Sequence, residues 1–438
     1  MPLIIIAIAI LILIVLVSIF KINTFLSLIF TAFIVGLMSR MELLNILQSI
    51  TNGIGSTMGS IALIIVLGAM LGKLIEESGS AYQIVTSFIQ KFGVKRMHLA
   101  TVLIGFMVGL PMFYNAAFLV LIPLVYMLAA TTNRPLVYVG LPLCAALLIT
   151  HGFLPPHPAP TFISQIYQAS IGKTLLYGIV VAIPAVILSG PLLSNFYKNL
   201  VTKPPEHLFV NRDFSTTKLP SLWVSILTIL SPVILMLFGT ITEMSCSSYP
   251  ELQKFLKFFC DPSVALFLSV CLGIYTLGIR QGKKTTEVMA KLGEAVTNIA
   301  MILLIIAAGG AFKQVLVDSG VNEFIKQISS GLNFSPLILA WCVAGLFRLA
   351  LGSATVACIT AAGLVMPLIK TTGASPELMV IATGAGSLMS SHFNDSGFWM
   401  FKEYFNLSIK QTFATWTVLG MAVSLSGLAG VLLLNCFI

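Results

Sequence analysis

Charge is what this chain has least of. Only 9% of its 438 residues are Asp, Glu, Lys or Arg, against about 25% in an average soluble domain. That scarcity excludes a string of soluble domains. It also excludes disorder, which needs charge and few apolar residues. Paired cysteines are missing too: seven cysteines form no CxxC, and Cys144, Cys271, Cys342, Cys358 and Cys436 sit in apolar stretches, where a thiol serves as a small hydrophobe. Cys246 and Cys260 share one loop and would pair if it faced an oxidising compartment. Enzyme signatures are absent, with no HExxH, no GxSxG and no GxxxxGK[ST]; the Gly68 to Lys73 stretch is one residue short of the last. His151 and His157 lie six apart across prolines, a poor metal spacing, so neither metal nor cofactor is expected. Lys and Arg outnumber Asp and Glu 24 to 15, giving a net charge of +9. These basic residues cluster in short connections between apolar runs, without a basic stripe and interleaved aromatics. That placement argues for membrane topology and against nucleic acid.

What the chain has is apolar sequence: 58% of its residues, with a mean hydropathy of +1.01. This composition predicts an all-α polytopic membrane protein with lipid as its surroundings. Residues 2–20 are apolar with no basic segment before them, and Lys21 follows the run, so a first spanning helix is expected rather than a cleaved signal peptide. About 20 apolar residues cross a hydrocarbon core of roughly 30 Å. By that ruler, spans fall near 3–20, 24–39, 57–75, 137–153, 174–196, 221–241, 262–280, 295–317, 376–391 and 412–434. Two stretches, 98–129 and 336–369, are too long for one straight crossing. Each is interrupted, at Gly109-Leu110-Pro111 and at Gly352-Ser353, and reads as a broken or re-entrant helix. The total expected is about 10–12 transmembrane helices.

An internal repeat is visible. Residues 61–79 resemble 299–320, and an offset of 241 positions carries Ser78 onto Ser319, Pro111 onto Gly352, Thr150 onto Ser391 and His151 onto His392. The expected organisation is a first transmembrane half over 1–200, a connecting loop over 201–220 and a second half over 221–438. The basic connections at 91–96, 197–220 and 280–291 all lie on the cytoplasmic side if 98–129 enters and leaves by the same face. The repeats are then inverted. Inverted repeats with matching discontinuous helices point to an alternating-access transporter whose site lies near the midplane.

Polar residues left inside apolar runs mark the candidate site. In Thr150–Thr161 the prolines, Pro155 and Pro156 among them, cannot continue a helix; unwound backbone there would open a polar pocket. The counterpart Ser390–Trp399 holds Ser391, His392, Asn394 and Asp395, with Asp395 a candidate proton or cation site; a plain helix cap is the competing role for Asn394 or Asp395. Arg348 precedes the Gly352 break, and Ser353 and Thr355 open the helix after it, where free amides would face an anion. The competing role for Arg348 is a protein carboxylate partner. Asn115 occupies the matching place in repeat one. Lys313 sits near a span end and could snorkel.

Four stretches, THGFLPPHPAPT (150–161), GGAFKQVLVDSGV (309–321), RLALGSATVACITAAG (348–363) and SHFNDSGFWMFKEYFNLS (391–408), closely resemble the gluconate permease family of bacterial proton-coupled symporters. The likeness runs the length of the chain. It implies a multi-pass inner-membrane carrier taking up gluconate or a related aldonate with protons. The histidine-bearing motifs favour the gluconate and idonate members over the D-serine members. On this reading Arg348 and the amides near Ser353 and Thr355 hold the substrate carboxylate. Asn115, Thr150, Ser391 and Asn394 bond its hydroxyls, and Asp395, aided by His151 or His392, carries the proton. One departure stands out: where many members carry Glu in a Phe-Phe-Glu-Val-Gly pattern, this chain has Phe113-Tyr114-Asn115-Ala116-Ala117. Asn cannot bind and release a proton, so coupling falls to Asp395 or a histidine, or the chain is an uncoupled facilitator. Ala159, often Gly in relatives, is a smaller change beside the pocket. Idonate, a deoxy-aldonate or glycerate is the alternative substrate. Helices facing a second copy read like helices facing lipid, so a homo-oligomer stays open.

Overall fold

Helix boundaries in this chain follow its caps, glycines and prolines. A computed structural model describes residues 2–93, 96–202, 219–245, 250–320, 335–392 and 395–438, and among these there is no strand. The helices are α1 (Pro2–Ile14), α2 (Thr24–Met38), α3 (Leu43–Ser78), α4 (Ser80–Phe92), α5 (Met97–Gly109), α6 (Tyr114–Thr132), α7 (Leu136–Phe153), α8 (Pro158–Tyr167) and α9 (Ile171–Ile187). They continue with α10 (Leu222–Ser245), α11 (Pro250–Phe259), α12 (Pro262–Gly273), α13 (Thr285–Asp318), α14 (Pro336–Leu351), α15 (Ala354–Thr372), α16 (Pro376–Gly386), α17 (Ser396–Tyr404) and α18 (Ile409–Asn435), the last containing a π turn at Phe413–Thr417. Eight of the described helices are long and apolar enough to cross a bilayer, and five shorter apolar helices accompany them. Apolar side chains such as Leu44, Leu63, Phe238 and Leu346 are exposed on the outer surface, as a lipid-facing wall requires.

Both interrupted stretches break where the sequence places the breaks. α14 stops because Gly352 takes a left-handed φ of 74° and returns its N–H to the Arg348 carbonyl at 3.1 Å, a helix end that glycine adopts without a Cβ penalty. Ser353 then caps α15 by accepting from the Val356 N–H. α5 ends at Gly109, ahead of Pro111, and α6 begins after Phe113. α7 ends at Phe153 ahead of Pro155 and Pro156. The remaining prolines of that motif do not stay unwound: Pro158 and Pro160 fall in the first turn of α8, where a missing N–H costs nothing. The span expected at 376–391 is a shorter helix ending at Gly386, followed by turns.

Packing fixes the directions of these pieces. α5 and α7 run side by side in parallel: His98 meets Tyr138, Gly105 abuts Ala146 and Gly109 abuts Thr150. The hairpin of α5 and α6 therefore returns to the face it entered from. α14 and α16 are parallel in the same way, with Trp341 against Gly386 and Gly345 against Met389.

The two longest helices, α3 and α13, are 36 and 34 residues, about 54 and 51 Å at 1.5 Å per residue. They extend beyond the expected 57–75 and 295–317 and pack antiparallel. Ser49 donates to Asp318 at 2.6 Å near one end, while Lys73 reaches Glu77 at 3.1 Å and Glu294 at 3.2 Å near the other. Between them the backbones touch where Gly53 meets Gly310 and Ala311, the close approach that small residues allow in a membrane. Cys260 is a buried free thiol, and Cys246 lies outside the described residues.

Candidate functional site

The two broken hairpins and the loop before α17 meet around one cavity of about 410 Å³, within the range of about 300–1,000 Å³ usual for small-molecule sites. Three helices start on its wall. α6 brings Tyr114 and Asn115, α15 brings Ala354 and Thr355, and α17 brings Ser396 and Gly397. Each helix start carries partial positive charge and amides without intrahelical partners. An anion is the ligand such a wall suits.

Arg348 stands on the same wall. It is 4% exposed; one guanidinium nitrogen donates to the Gly352 carbonyl at the break, and the other to Asp395 Oδ2. Its Nε is buried with no hydrogen-bond partner. The two residues that the sequence suggests separately, one for the substrate and one for the proton, are thus bound to each other. Asp395 also caps α17: its Oδ1 accepts from the Gly397 N–H at 2.9 Å, and Oδ2 takes a second bond from the Ser391 hydroxyl. Both competing structural roles, an arginine paired with a carboxylate and a helix cap, are filled by this one pair. A buried guanidinium without a counter-charge costs several kcal/mol, so Arg348 is stable here only while an anion faces it.

Of the other sequence candidates, Asn115, His151, Ser353 and Thr355 line the cavity together with Gly352. His151 Nδ1 and the Tyr114 hydroxyl are buried without a hydrogen bond, so with Arg348 Nε this wall holds three orphaned polar atoms. Thr150 is fully buried and donates back to the Leu147 carbonyl at 3.0 Å, against Gly109. Ser391 sits behind the cavity. His392 Nε2 lies 3.0 Å from the Leu349 carbonyl, in the last turn of α14. In the first hairpin the corresponding contact comes from His157, whose Nε2 lies 2.7 Å from the Gly109 carbonyl. Each broken helix thus ends against a histidine. Pro111 and Pro156 pack near that contact and away from the cavity. Asn394 lies outside the described residues.

Trp416 is the wall residue that the sequence reading passes over. It is buried, donates its indole N–H to Ser391 Oγ at 2.7 Å, and faces the Tyr114 ring with centroids 5.7 Å apart. Thr417 donates to the Ser391 carbonyl at 2.5 Å. Because an indole can only donate, it leaves the Ser391 hydrogen directed at Asp395. The available signal was the close run of hydrogen-bonding side chains Thr412, Thr415, Trp416 and Thr417 at the start of a largely apolar span. The π turn through them is a geometry that recurs at functional sites.

Comparison with known proteins agrees with this architecture. The family profile of the GntP family permease matches residues 1–437. The Gnt-II system L-idonate transporter of Escherichia coli is 48% identical over 99% of both chains. A high-affinity gluconate transporter of the same organism is 48% identical over the whole of both. The gluconate permease of Bacillus subtilis is 42% identical over 99% of both. Among solved structures, the YdaH transporter of Alcanivorax borkumensis superposes with a TM-score of 0.65 at 16% identity, covering 88% of this chain and 87% of that one. Neisseria gonorrhoeae MtrF gives a TM-score of 0.66 at 15% identity, covering 89% and 83%. At those identities the likeness is one of fold.

Proposed function

Because the chain belongs to the GntP permease family and is a multi-pass inner-membrane transporter rather than an enzyme, we propose that it takes up gluconate together with protons. The observation that carries this reading is Arg348: buried, on the cavity wall among three helix starts, held by a single carboxylate and with Nε unsatisfied. A sugar acid offers the carboxylate that such a group binds and hydroxyls for Asn115, Thr355 and His151.

Charge bookkeeping supplies the coupling. With Asp395 ionised, its carboxylate neutralises Arg348 and the place for an incoming anion is taken. A proton on Asp395 weakens that pair and frees the guanidinium for the substrate carboxylate. One proton and one monovalent acid then enter together, the site's net charge is unchanged, and Arg348 never stands alone in a low-dielectric interior. In this scheme Asn115, which cannot carry a proton, is a hydroxyl-binding group.

The antiparallel pairing of α3 and α13, which are sequence counterparts, supports an inverted relation between halves 1–200 and 221–438, joined through 201–220. Alternating exposure of a fixed central site follows from that arrangement. L-idonate is a second reading, since the idonate and gluconate relatives are equally similar to this chain. Labelled gluconate uptake, in cells stripped of their own sugar-acid carriers, tests the assignment. Saturable uptake suppressed by unlabelled gluconate more strongly than by L-idonate supports gluconate. Stronger suppression by L-idonate moves the assignment to idonate, and no saturable uptake of either removes it.

A further inference from the structure

The base of the first hairpin carries a second, differently built site. α5 and α7 begin side by side, each presenting its N-terminal end. At this rim His98 Nε2 lies 3.2 Å from the Tyr138 carbonyl, and the two rings meet at a tilt of 58° with centroids 4.5 Å apart. The Arg134 guanidinium sits 5.8 Å over the other aromatic partner, the Tyr138 ring, and Arg96 precedes the first turn of α5. Below the rim, between α5, α7 and the end of α9, runs a crevice of about 350 Å³. Arg96, His98 and Tyr138 form its head, and Val102, Ile187 and Pro191 its apolar floor. Val102 is six residues into the bilayer from Arg96, about 9 Å along the helix. The floor opens onto the outer surface, where Leu99 and Ile187 are 46% and 49% exposed. No carboxylate is among the described lining residues, and none of the described carboxylates pairs with Arg96 or Arg134.

We propose that this crevice binds one anionic phospholipid, its phosphate at Arg96, Arg134 and His98 and an acyl chain along Val102, Ile187 and Pro191. The order of the lining is that of the ligand: cationic at the membrane surface and apolar below it, open to the lipid side at Leu99 and Ile187. Topology alone accounts for basic residues in a connection; it does not account for an apolar slot running down from them. Basic pockets between membrane helices hold anionic head groups by this combination. A free phosphate would use the head and leave the floor empty.

The test uses the purified full-length protein, exchanged into micelles with equal phosphatidylglycerol and phosphatidylcholine and read by native mass spectrometry. Retention of one phosphatidylglycerol per chain is expected, with a preference on the order of tenfold from two basic side chains. Arg96→Gln with Arg134→Gln should bring the preference to near one. Val102→Trp, which fills the floor and keeps the arginines, should lower retention of both lipids. Equal retention of the two lipids by the native protein, or an unchanged preference in the double variant, overturns the proposal. Displacement of the lipid by millimolar inorganic phosphate would assign the head to a free anion and overturns it as well. So does a double variant that changes the number of chains per particle without changing bound lipid, since the crevice would then be an interface between copies.

Discussion

At the scale of single residues the account rests on Arg348 and Asp395. Arg348→Lys keeps the charge and loses the fork that spans the Gly352 carbonyl and Asp395 together. Its half-saturating substrate concentration should rise at least tenfold in an uptake titration, with the protein still in the membrane. Native affinity in that variant would take Arg348 out of the site. Asp395→Asn removes the proton carrier that the proposal assigns. If uptake is coupled to protons as proposed, native uptake should fall as the outside pH rises. In the Asn variant that dependence should vanish, leaving substrate exchange without accumulation; a pH profile that survives the substitution clears Asp395 of coupling. Ser391→Ala strands the Trp416 indole and removes one donor from Asp395. It should shift the pH profile of uptake more than its maximal rate, set against the facing groups Arg348, His151 and Tyr114.

The residue types of this site were legible as polar groups in apolar sequence, and Asn115, His151, Arg348, Ser353, Thr355 and Asp395 do share one cavity. Their pairing was not. Arg348 and Asp395 are 47 positions apart, and nothing local says that one answers the other. Thr150 and Ser391 were indistinguishable from cavity residues because a buried hydroxyl can bond its own helix or a neighbour as readily as a ligand.

At the scale of elements, the breaks were readable because Gly and Pro act locally: Gly109-Leu110-Pro111 and Gly352-Ser353 interrupt their helices where chain chemistry demands it. Helix lengths were harder. Residues 43–56 and 285–294 carry Asn, Gln, Thr, Glu and Lys and look like connections, yet they are helical. α3 and α13 brace each other over that length, with ionic contacts such as Lys73 to Glu294. α8 was hidden by its own prolines, which look disruptive until they are seen to occupy a first turn.

Gly310 tests the contact between the long helices. A Cβ there would lie 2.0 Å from Thr57 Oγ1 and 2.7 Å from the Gly53 carbonyl. Gly310→Val should therefore cost about 1–3 kcal/mol, as overpacking does, read as a lower melting temperature in detergent. Thr57→Ala in the same chain should recover part of the loss. An unchanged melting point would mean that the helices are not in contact there.

At the scale of the whole molecule, composition decided that the chain lives in a membrane, and the repeat suggested how it is built. Of the ten unbroken spans expected, those at 3–20, 24–39 and 376–391 are shorter helices, while the first broken stretch adds one long helix, α6, which gives the eight long spans. α5 is 13 residues and α14 is 16, about 20 and 24 Å against roughly 30 Å of hydrocarbon. These short pieces bring helix starts to the middle of the protein, where the charged pair lies.

The central claim is that a proton and a sugar acid share this pair. It is tested most directly by labelled gluconate uptake into proteoliposomes of the purified protein, with an inward proton gradient imposed and then dissipated. The account predicts accumulation above equilibrium that collapses with the gradient. Equilibration at the same level with and without the gradient would contradict it and would make the protein a facilitator.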